Sequence, residues 1–165
     1  MTHRLERTAN LLGALSVAIN DQLPCTADDA ALVCLKWNDG LSVDGLAGVV
    51  RLSQPGAVRL VDRLEGAGLL RRAPGHDGRT RSLHLTVKGR RHCEAILRER
   101  SGYLSDAMSE LDPTMVKTLE ESLERILVRL SCDEPTATQI CRLCDEQLCG
   151  APARCPVDRA LASYE

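Results

Sequence analysis

The sequence predicts a mainly α-helical protein with one small β-hairpin. The 165 residues are 44% apolar but only 2% aromatic, with no Phe, so Leu, Val and Ala must fill the core, and these residues suit packed helices. Apolar residues recur at the helical period along most of the chain. Residues 82 to 87 instead alternate apolar and polar side chains, which is typical of a strand.

Four helices are predicted in the first 65 residues. The first covers residues 5 to 20 and ends before Pro24. Thr26 caps the second, which stops at residues 38 to 40, and Ser42 caps a short third helix. The fourth begins at Ser53, with Pro55 in its first turn. Its inner stripe has the i, i+3, i+4, i+7 spacing and consists of Ala57, Leu60, Val61 and Leu64.

The opposite face of the fourth helix carries Gly56, Arg59 and Arg63. A small residue beside two arginines on an exposed helical face suits close approach to a DNA groove, because Arg pairs with guanine edges or phosphates. Residues 51 to 91 also hold ten Arg or Lys against three acidic residues, although the whole chain has a net charge of -2. This basic segment favours a nucleic-acid partner.

Residues 69 to 87 form the predicted hairpin. Gly68 ends the fourth helix, a first strand follows, and residues 74 to 78 contain the Gly, Pro and Asp of a turn. Arg79 and Arg81 lie at the basic tip, whereas His84 is expected on the exposed side of the return strand.

Two amphipathic helices are predicted after the hairpin, at residues 87 to 108 and from Pro113 to about residue 130. At least one apolar stripe has no evident cover within the chain, which predicts a homodimer. The sequence has no apolar run of about 20 residues and no signal-peptide pattern, so we expect a soluble cytoplasmic protein. It also lacks a phosphate-binding Gly-rich loop and a Ser-His-Asp order, and we expect no enzyme activity.

Three blocks, in order and spacing, resemble the MarR family of transcription regulators: LSQPGAVRLVDRLE at residues 52 to 65, GLL at 68 to 70, and DGR at 77 to 79 followed by LTVKG at 85 to 89. The resemblance covers about residues 26 to 131. It implies a winged helix-turn-helix whose fourth helix enters the major groove of a pseudo-palindromic operator, whose hairpin tip enters the minor groove, and whose first and last helices form a dimer. It also allows a small-molecule effector.

The sequence and the resemblance together divide the chain into four segments. These are an N-terminal dimerisation helix (1 to 25), the winged helix-turn-helix (26 to 88), C-terminal dimerisation helices (89 to 131) and a cysteine segment (132 to 165). The predicted DNA contacts are Ser53, Gln54, Gly56, Arg59, Arg63, Arg72, Arg79 and Arg81.

The cysteine segment carries four thiols in the spacing Cys-x2-Cys-x4-Cys-x5-Cys, at Cys141, Cys144, Cys149 and Cys155. Four thiolates complete one metal coordination sphere. Their placement in one expected loop, with Pro156 after the last, favours an iron-sulfur cluster that modulates DNA binding, and structural zinc is the alternative. Thiol-disulfide switching stays open as well. The other cysteines of the helical part are expected to be small buried hydrophobes.

Two further functional hypotheses remain open at this stage. In one, the protein is a redox or metal-handling protein that uses its winged helix to bind other proteins. In the other, the cysteine segment holds structural zinc and a small molecule supplies the signal. Specific operator binding separates the first of these from a transcription regulator, most simply a repressor.

Overall fold

The computed structural model describes residues 2–23, 26–75, 80–131, 133–150 and 155–162. This part of the chain contains α1 (Thr2–Gln22), α2 (Ala27–Trp37), α3 (Val43–Val50), α4 (Gln54–Gly66), β1 (Leu70–Pro74), β2 (Arg81–Leu85), α5 (Val87–Ala107), α6 (Pro113–Leu130), α7 (Glu134–Cys141), α8 (Glu146–Cys149) and α9 (Pro156–Ala162). The mainly helical fold with one antiparallel hairpin is the one that the sequence predicts.

Side-chain caps start the helices where the sequence predicts them. The Thr26 hydroxyl accepts from the Asp29 N–H at 3.1 Å, and the Ser42 hydroxyl accepts from the Gly45 N–H at 3.1 Å. Asp112 caps α6 in the same way by accepting from the N–H of Thr114 at 2.8 Å. Each cap satisfies an N–H that has no partner within its own helix, which fixes the first turn.

One hydrophobic core joins α2, α3, α4 and the hairpin to the first half of α5, and we call these elements the core unit. Its completely buried side chains are mostly aliphatic: Leu32, Leu35, Leu46, Leu60, Leu70, Leu83, Val33 and Val61, together with Cys93. Burial of each Leu contributes roughly 1.5 to 3 kcal/mol before chain entropy is subtracted. The core unit therefore orients α4 mainly through aliphatic side chains, with one aromatic residue, Trp37, packed against them.

The hairpin is held on the core by its register. Leu70 pairs with Leu85 and Arg72 with Leu83, so the leucines of β2 face inward. The segment before α3 also pairs with β2: the Gly40 N–H donates to the Leu83 carbonyl at 2.9 Å, and the Leu83 N–H donates to the Leu41 carbonyl at 3.0 Å. Gly68, at φ +70°, makes the left-handed turn that leads from α4 into β1.

The start of α5 lies in close contact with Leu69, the residue just before β1, through Gly89. A Cβ atom at this position would lie 1.9 Å from the Leu69 carbonyl oxygen, far inside any allowed contact. The same carbonyl accepts from the Thr86 N–H at 3.0 Å. Glycine at position 89 is therefore required for α5 to leave the core unit at the observed place.

The cysteine segment differs from the single loop that the sequence predicts. It folds into α7, α8 and α9, and Asp133 and Asp145 cap the first two of these helices. Its small core contains Ala137, Cys155 and Val157, with Cys141 and Cys149 packed against them. The prediction of a loop was wrong because alternating short helices and turns are too brief to show a helical period.

Two long helices keep apolar faces exposed. In α1, Leu5, Leu12 and Leu15 are 71%, 43% and 50% exposed, and α6 buries no residue although it carries a strong apolar stripe. Such faces are unfavourable in water and require a cover. No helix in the described ranges is long and apolar enough to span a membrane.

We expect Gly89→Ala to lower the free energy of unfolding by about 1 to 3 kcal/mol, because the added methyl group displaces α5 from the Leu69 carbonyl. Gly102→Ala in the same helix is the control, since nothing lies within 4 Å of its Cβ position. It should be neutral or stabilise by up to about 1 kcal/mol. Urea unfolding at matched protein concentration measures both variants, and equal midpoints would contradict the prediction.

Candidate nucleic-acid interface

A tight turn sets α4 across α3. Arg51 ends α3 in the left-handed conformation at φ +57°, and the Leu52 N–H returns to the Ala47 carbonyl at 3.1 Å. Ser53 then begins α4. Two helices joined by so short a turn, with the second packed by only one face, form a helix-turn-helix.

The exposed face of α4 carries the polar side chains that the sequence predicts as DNA contacts. Ser53, Gln54 and Arg59 are exposed, whereas Ala57 and Leu60 on the opposite face are almost completely buried. The Ser53 hydroxyl makes no capping bond to α4. Among the described residues, Arg59 has no hydrogen-bond or ion-pair partner, so its guanidinium is available to a ligand.

Gly56 is half-buried, and its size has a reason within the protein. A Cβ atom there would lie 3.3 Å from the Ser53 hydroxyl oxygen and 3.4 Å from the Leu52 Cβ, which is tight but tolerable. The absence of a side chain thus helps the helix-turn-helix to pack. Its predicted role in close approach to DNA stays a prediction.

Arg63 forms a two-pronged ion pair with Asp28 in the first turn of α2. Its Nη2 atom lies 2.5 Å from Asp28 Oδ1, and its Nε atom lies 3.1 Å from Oδ2. The hydrogen bond to Asp28 raises the pKa of Arg63. The side chain stays 58% exposed, so the pair both ties α4 to α2 and leaves Arg63 at the surface.

Arg72 of β1 is bound to α4 instead of extending into solvent. Its guanidinium contacts Glu65 and lies 2.6 Å from Asp62 Oδ1, while its N–H donates to Glu65 Oε1 at 3.0 Å. The N–H and the guanidinium of Arg72 lower the pKa of Glu65. These bonds fix the angle between the hairpin and α4, so the structure supports a positioning role for Arg72.

Arg79 and Arg81 are the two contacts that the sequence predicts at the tip of the hairpin. Arg81 is exposed and free of partners among the described residues. Arg79 and the neighbouring His76 lie outside the described residues. His84 was predicted as an exposed strand residue, which is wrong: it is half-buried, and its Nδ1 atom lies 3.0 Å from Asp39 Oδ2 at the end of α2.

Sequence reasoning missed the acidic partners of these arginines and of His84. Asp28 lies 35 residues from Arg63, and Asp39 lies 45 residues from His84, so no local pattern connects them. The sequence placed Glu65 in α4 but did not indicate its bond to Arg72. Their pairing arises from the packing of α2, α4 and the hairpin.

The four thiols of the cysteine segment converge as two pairs. Cys141 lies close enough to Cys144, and Cys149 to Cys155, for the thiols of each pair to shift each other's pKa. Three of the four pack in the same small core, and Cys155 is only 2% exposed. Among the described side chains, no three His, Cys, Asp or Glu residues already form a metal-binding geometry.

The thiols also influence each other's ionisation. The hydrogen bond from Cys141 lowers the pKa of Cys144 to about 7 and raises the pKa of Cys141 well above its usual range. Burial and the bond to Cys155 raise the pKa of Cys149 to about 12. All six described cysteines are free thiols.

The remaining cysteines behave differently from these four. Cys34 and Cys93 are 5% and 0% exposed, and burial raises the pKa of each thiol to about 11. The prediction that they are small buried hydrophobes is confirmed. Cys25 and Cys132 lie outside the described residues.

Comparison with known proteins identifies a matching family model and solved structures with a similar fold. The model of the MarR family matches residues 30–80. A MarR family protein from Bacillus stearothermophilus is 25% identical, with a TM-score of 0.57 over 76% of this chain and 89% of that one. YusO from Bacillus subtilis has a TM-score of 0.66 at 21% identity, over 76% of this chain and 96% of its own.

A third solved structure has the same fold at lower identity. MepR, a transcription regulator of the Staphylococcus aureus multidrug efflux pump MepA, has a TM-score of 0.60 at 19% identity, over 74% of this chain and 97% of its own. A search of curated proteins finds no match.

The helix-turn-helix followed by a hairpin defines a winged-helix protein. Residues 30–80 are similar to the MarR family, and the solved structures above share the fold of the chain. This similarity indicates a transcription regulator. The family match ends at residue 80, well before the cysteine segment.

Substitution of Glu65 tests whether Arg72 positions the hairpin or binds DNA directly. If Arg72 is a positioning residue, Glu65→Gln should weaken DNA binding as Arg72→Ala does, because both release the hairpin from α4. If Arg72 instead contacts phosphate, Glu65→Gln should strengthen binding by freeing the guanidinium and removing a negative charge. Fluorescence anisotropy with labelled DNA measures the direction, and we expect weaker binding.

Proposed function

We propose that this protein is a homodimeric, sequence-specific transcriptional repressor whose activity responds to a metal centre in its cysteine segment. The observation that carries the DNA-binding part is the face of α4, where Ser53, Gln54 and unpaired Arg59 are exposed on a helix fixed by its buried side. A dimer bound across a promoter excludes polymerase, and repression is therefore the simplest outcome of binding.

Helix α4 and the hairpin both have the charge and shape to bind duplex DNA. The N-terminal half of α4 is proposed to lie in the major groove, where Arg59 can donate two hydrogen bonds to guanine O6 and N7. Arg81 at the base of the hairpin tip is proposed to contact the phosphates that flank the minor groove. Arg63 joins them if phosphate competes with Asp28 for its guanidinium.

The exposed apolar faces of α1 and α6 support a homodimer. Leu15 of α1 and Leu123 of α6 are 50% and 40% exposed, and both lie on long stripes with further exposed apolar residues. A second copy of the chain would cover the same stripes by twofold symmetry. A monomer mass from light scattering at micromolar concentration would contradict this part of the proposal.

The Arg59→Ala variant should bind its operator more weakly by roughly 1 to 3 kcal/mol, which is the cost of losing a guanine contact. The loss should be largest for operators that keep the contacted guanine. Arg98→Ala is the matched control, because this arginine is exposed on α5, away from α4 and the hairpin. Gel-shift titration on an operator selected from random DNA gives the affinities, and an unchanged Arg59→Ala affinity would contradict the proposal.

The selected operator should be a pseudo-palindrome with half-sites about one helical turn apart, because a twofold dimer presents two recognition helices. Its affinity should fall steeply with salt as cations are released from the phosphates. Arg81→Ala should reduce the slope of log affinity against log salt by about 1. Salt-insensitive binding to a single half-site would contradict the dimeric assignment.

The cysteine segment is proposed to bind an iron-sulfur cluster, with zinc as the alternative. Three of its four thiols pack in one small core, Cys144 lies near Cys141, and Asp145, Glu146 and Asp158 add negative charge around them. Four ionised thiolates in this acidic surrounding would repel one another strongly, and a bound cation removes that repulsion. If the two pairs of thiols moved together around one metal centre, all four thiolates could bind it.

Metal analysis separates the cluster from zinc. Protein purified without oxygen should show a visible absorption band together with bound iron and sulfide, which a Cys149→Ser variant should lose. Colourless protein with about one zinc per chain would reject the cluster and support the alternative. Protein that binds neither would contradict a metal centre in this segment. The Leu148→Ala variant is the control, since its side chain is 75% exposed beside Cys149.

A small-molecule effector would fit where the long helices meet the core unit. A cavity of about 280 Å³ lies there, lined by side chains of α1, α2 and α5, including Asp29, His92 and Glu99, and by Leu143 of the cysteine segment. Its mixed apolar and charged lining suits a small aromatic acid or amine.

A further inference from the structure

The cysteine segment lies between two parts of the chain that otherwise have little contact. Its helix α7 packs against α3, and α9 packs against α6. Among the described elements, α6 has no other intrachain contact as extensive as that with α9. The segment therefore joins the core unit, which carries the DNA-reading helix, to a helix proposed for dimerisation.

Specific polar bonds mark both ends of this connection. On the core-unit side, the Trp37 indole N–H donates to the Cys144 carbonyl at 3.2 Å, and the Gln139 amide donates to the Gly48 carbonyl at 3.2 Å. On the other side, Arg159 Nη2 lies 3.1 Å from Glu124 Oε2 of α6. These bonds span more than 30 residues of sequence and arise only when the segment is folded.

The segment has little apolar burial with which to hold its own shape. Its described buried residues are Ala137, Cys155, Pro156, Val157 and Ala160. A unit of fewer than about 40 residues usually needs a metal or disulfides to stay folded. The four free thiols are the groups in this segment that can supply such a cross-link.

One proposed ligand is bonded directly to the core unit. The Cys144 thiol belongs to the four-thiol cluster, while the carbonyl of the same residue accepts the Trp37 bond. A cavity of about 170 Å³ lies beside it and is lined by Trp37, Val49 and Cys141, that is, by α2, α3 and the segment together. Movement of the thiols must therefore change the surroundings of Trp37.

We infer that metal binding by the four thiols locks the cysteine segment onto Trp37 and Gly48 and thereby fixes the core unit relative to α6. This inference rests on the proposed function. In the loaded dimer the two α4 helices then keep one separation, which matches the fixed spacing of two half-sites. Without metal the segment loosens, the separation varies, and operator affinity falls.

The test uses the full-length chain and its one tryptophan. Metal is removed with a chelator under anaerobic reducing conditions and restored with Zn²⁺, or with Fe²⁺ and sulfide. On removal, Trp37 emission should shift to longer wavelength, and operator affinity should fall at least about fivefold. Restoration should reverse both changes.

A double variant, Trp37→Phe with Gln139→Ala, separates metal binding from its effect. It removes both bonds to the core unit and leaves every thiol in place, so its metal content should equal that of the wild type. Its operator affinity should change less than twofold between loaded and stripped forms. Leu148→Ala should behave as the wild type in every measurement, and circular dichroism verifies that the variants are folded.

The inference would be overturned by wild-type protein that binds metal yet shows equal operator affinity in both forms. It would also be overturned if the double variant kept the full metal dependence, or if no metal bound. Failure of the DNA-binding part of the proposed function is a different result, in which neither form selects an operator from random DNA. The tryptophan emission needs no DNA and therefore reports on the cysteine segment in either case.

Discussion

Burial of one stripe of α4 against α2, α3 and the hairpin is the constraint on which the rest of the structure depends. Ala57, Leu60, Val61 and Leu64 are at most 3% exposed, so the helix has one possible rotation about its axis. Arg59 and Gln54 must then face outward. The direction of the side chains proposed to read DNA is thus a consequence of hydrophobic packing, and the polar residues themselves contribute little to it.

The charged residues of the core unit serve two purposes. Arg63 and Arg72 are bonded to acids within the chain, and these bonds hold α4 at defined angles to α2 and to the hairpin. Arg59 and Arg81 make no such bonds among the described residues. Surface ion pairs contribute little stability by themselves, so Arg63 and Arg72 matter mainly for geometry, and Arg59 and Arg81 are the arginines proposed for recognition.

The long helices of one chain carry apolar surface that is only partly covered within that chain. The exposed leucines of α1 and α6 form apolar surface that a second copy can cover, whereas α9 covers part of α6 within the chain. The cysteine segment is consequently well placed to influence the dimer as well as the core unit. The proposed signal at its thiols would have a short path through α7 to α3, which packs directly on α4.

The sequence alone determined the elements whose signals are local. Thr26, Ser42 and Asp112 start helices because each cap bonds to its own first turn. The buried stripe of α4 and the alternation of apolar and polar residues in β2 were also predicted. Both patterns depend on residues that lie close together in the sequence. The same reasoning predicted the exposed arginines of α4 and the four clustered cysteines.

Only the tertiary structure decided what depends on distant residues. It paired Arg63 with Asp28, bound Arg72 to α4, placed the half-buried His84 against Asp39, and folded the cysteine segment into helices against Trp37. None of these contacts produces a periodic pattern in the sequence, because each joins groups that meet only after the core has packed. The hydrophobic pattern specifies the elements, and their packing specifies which polar groups are bonded within the chain and which stay exposed.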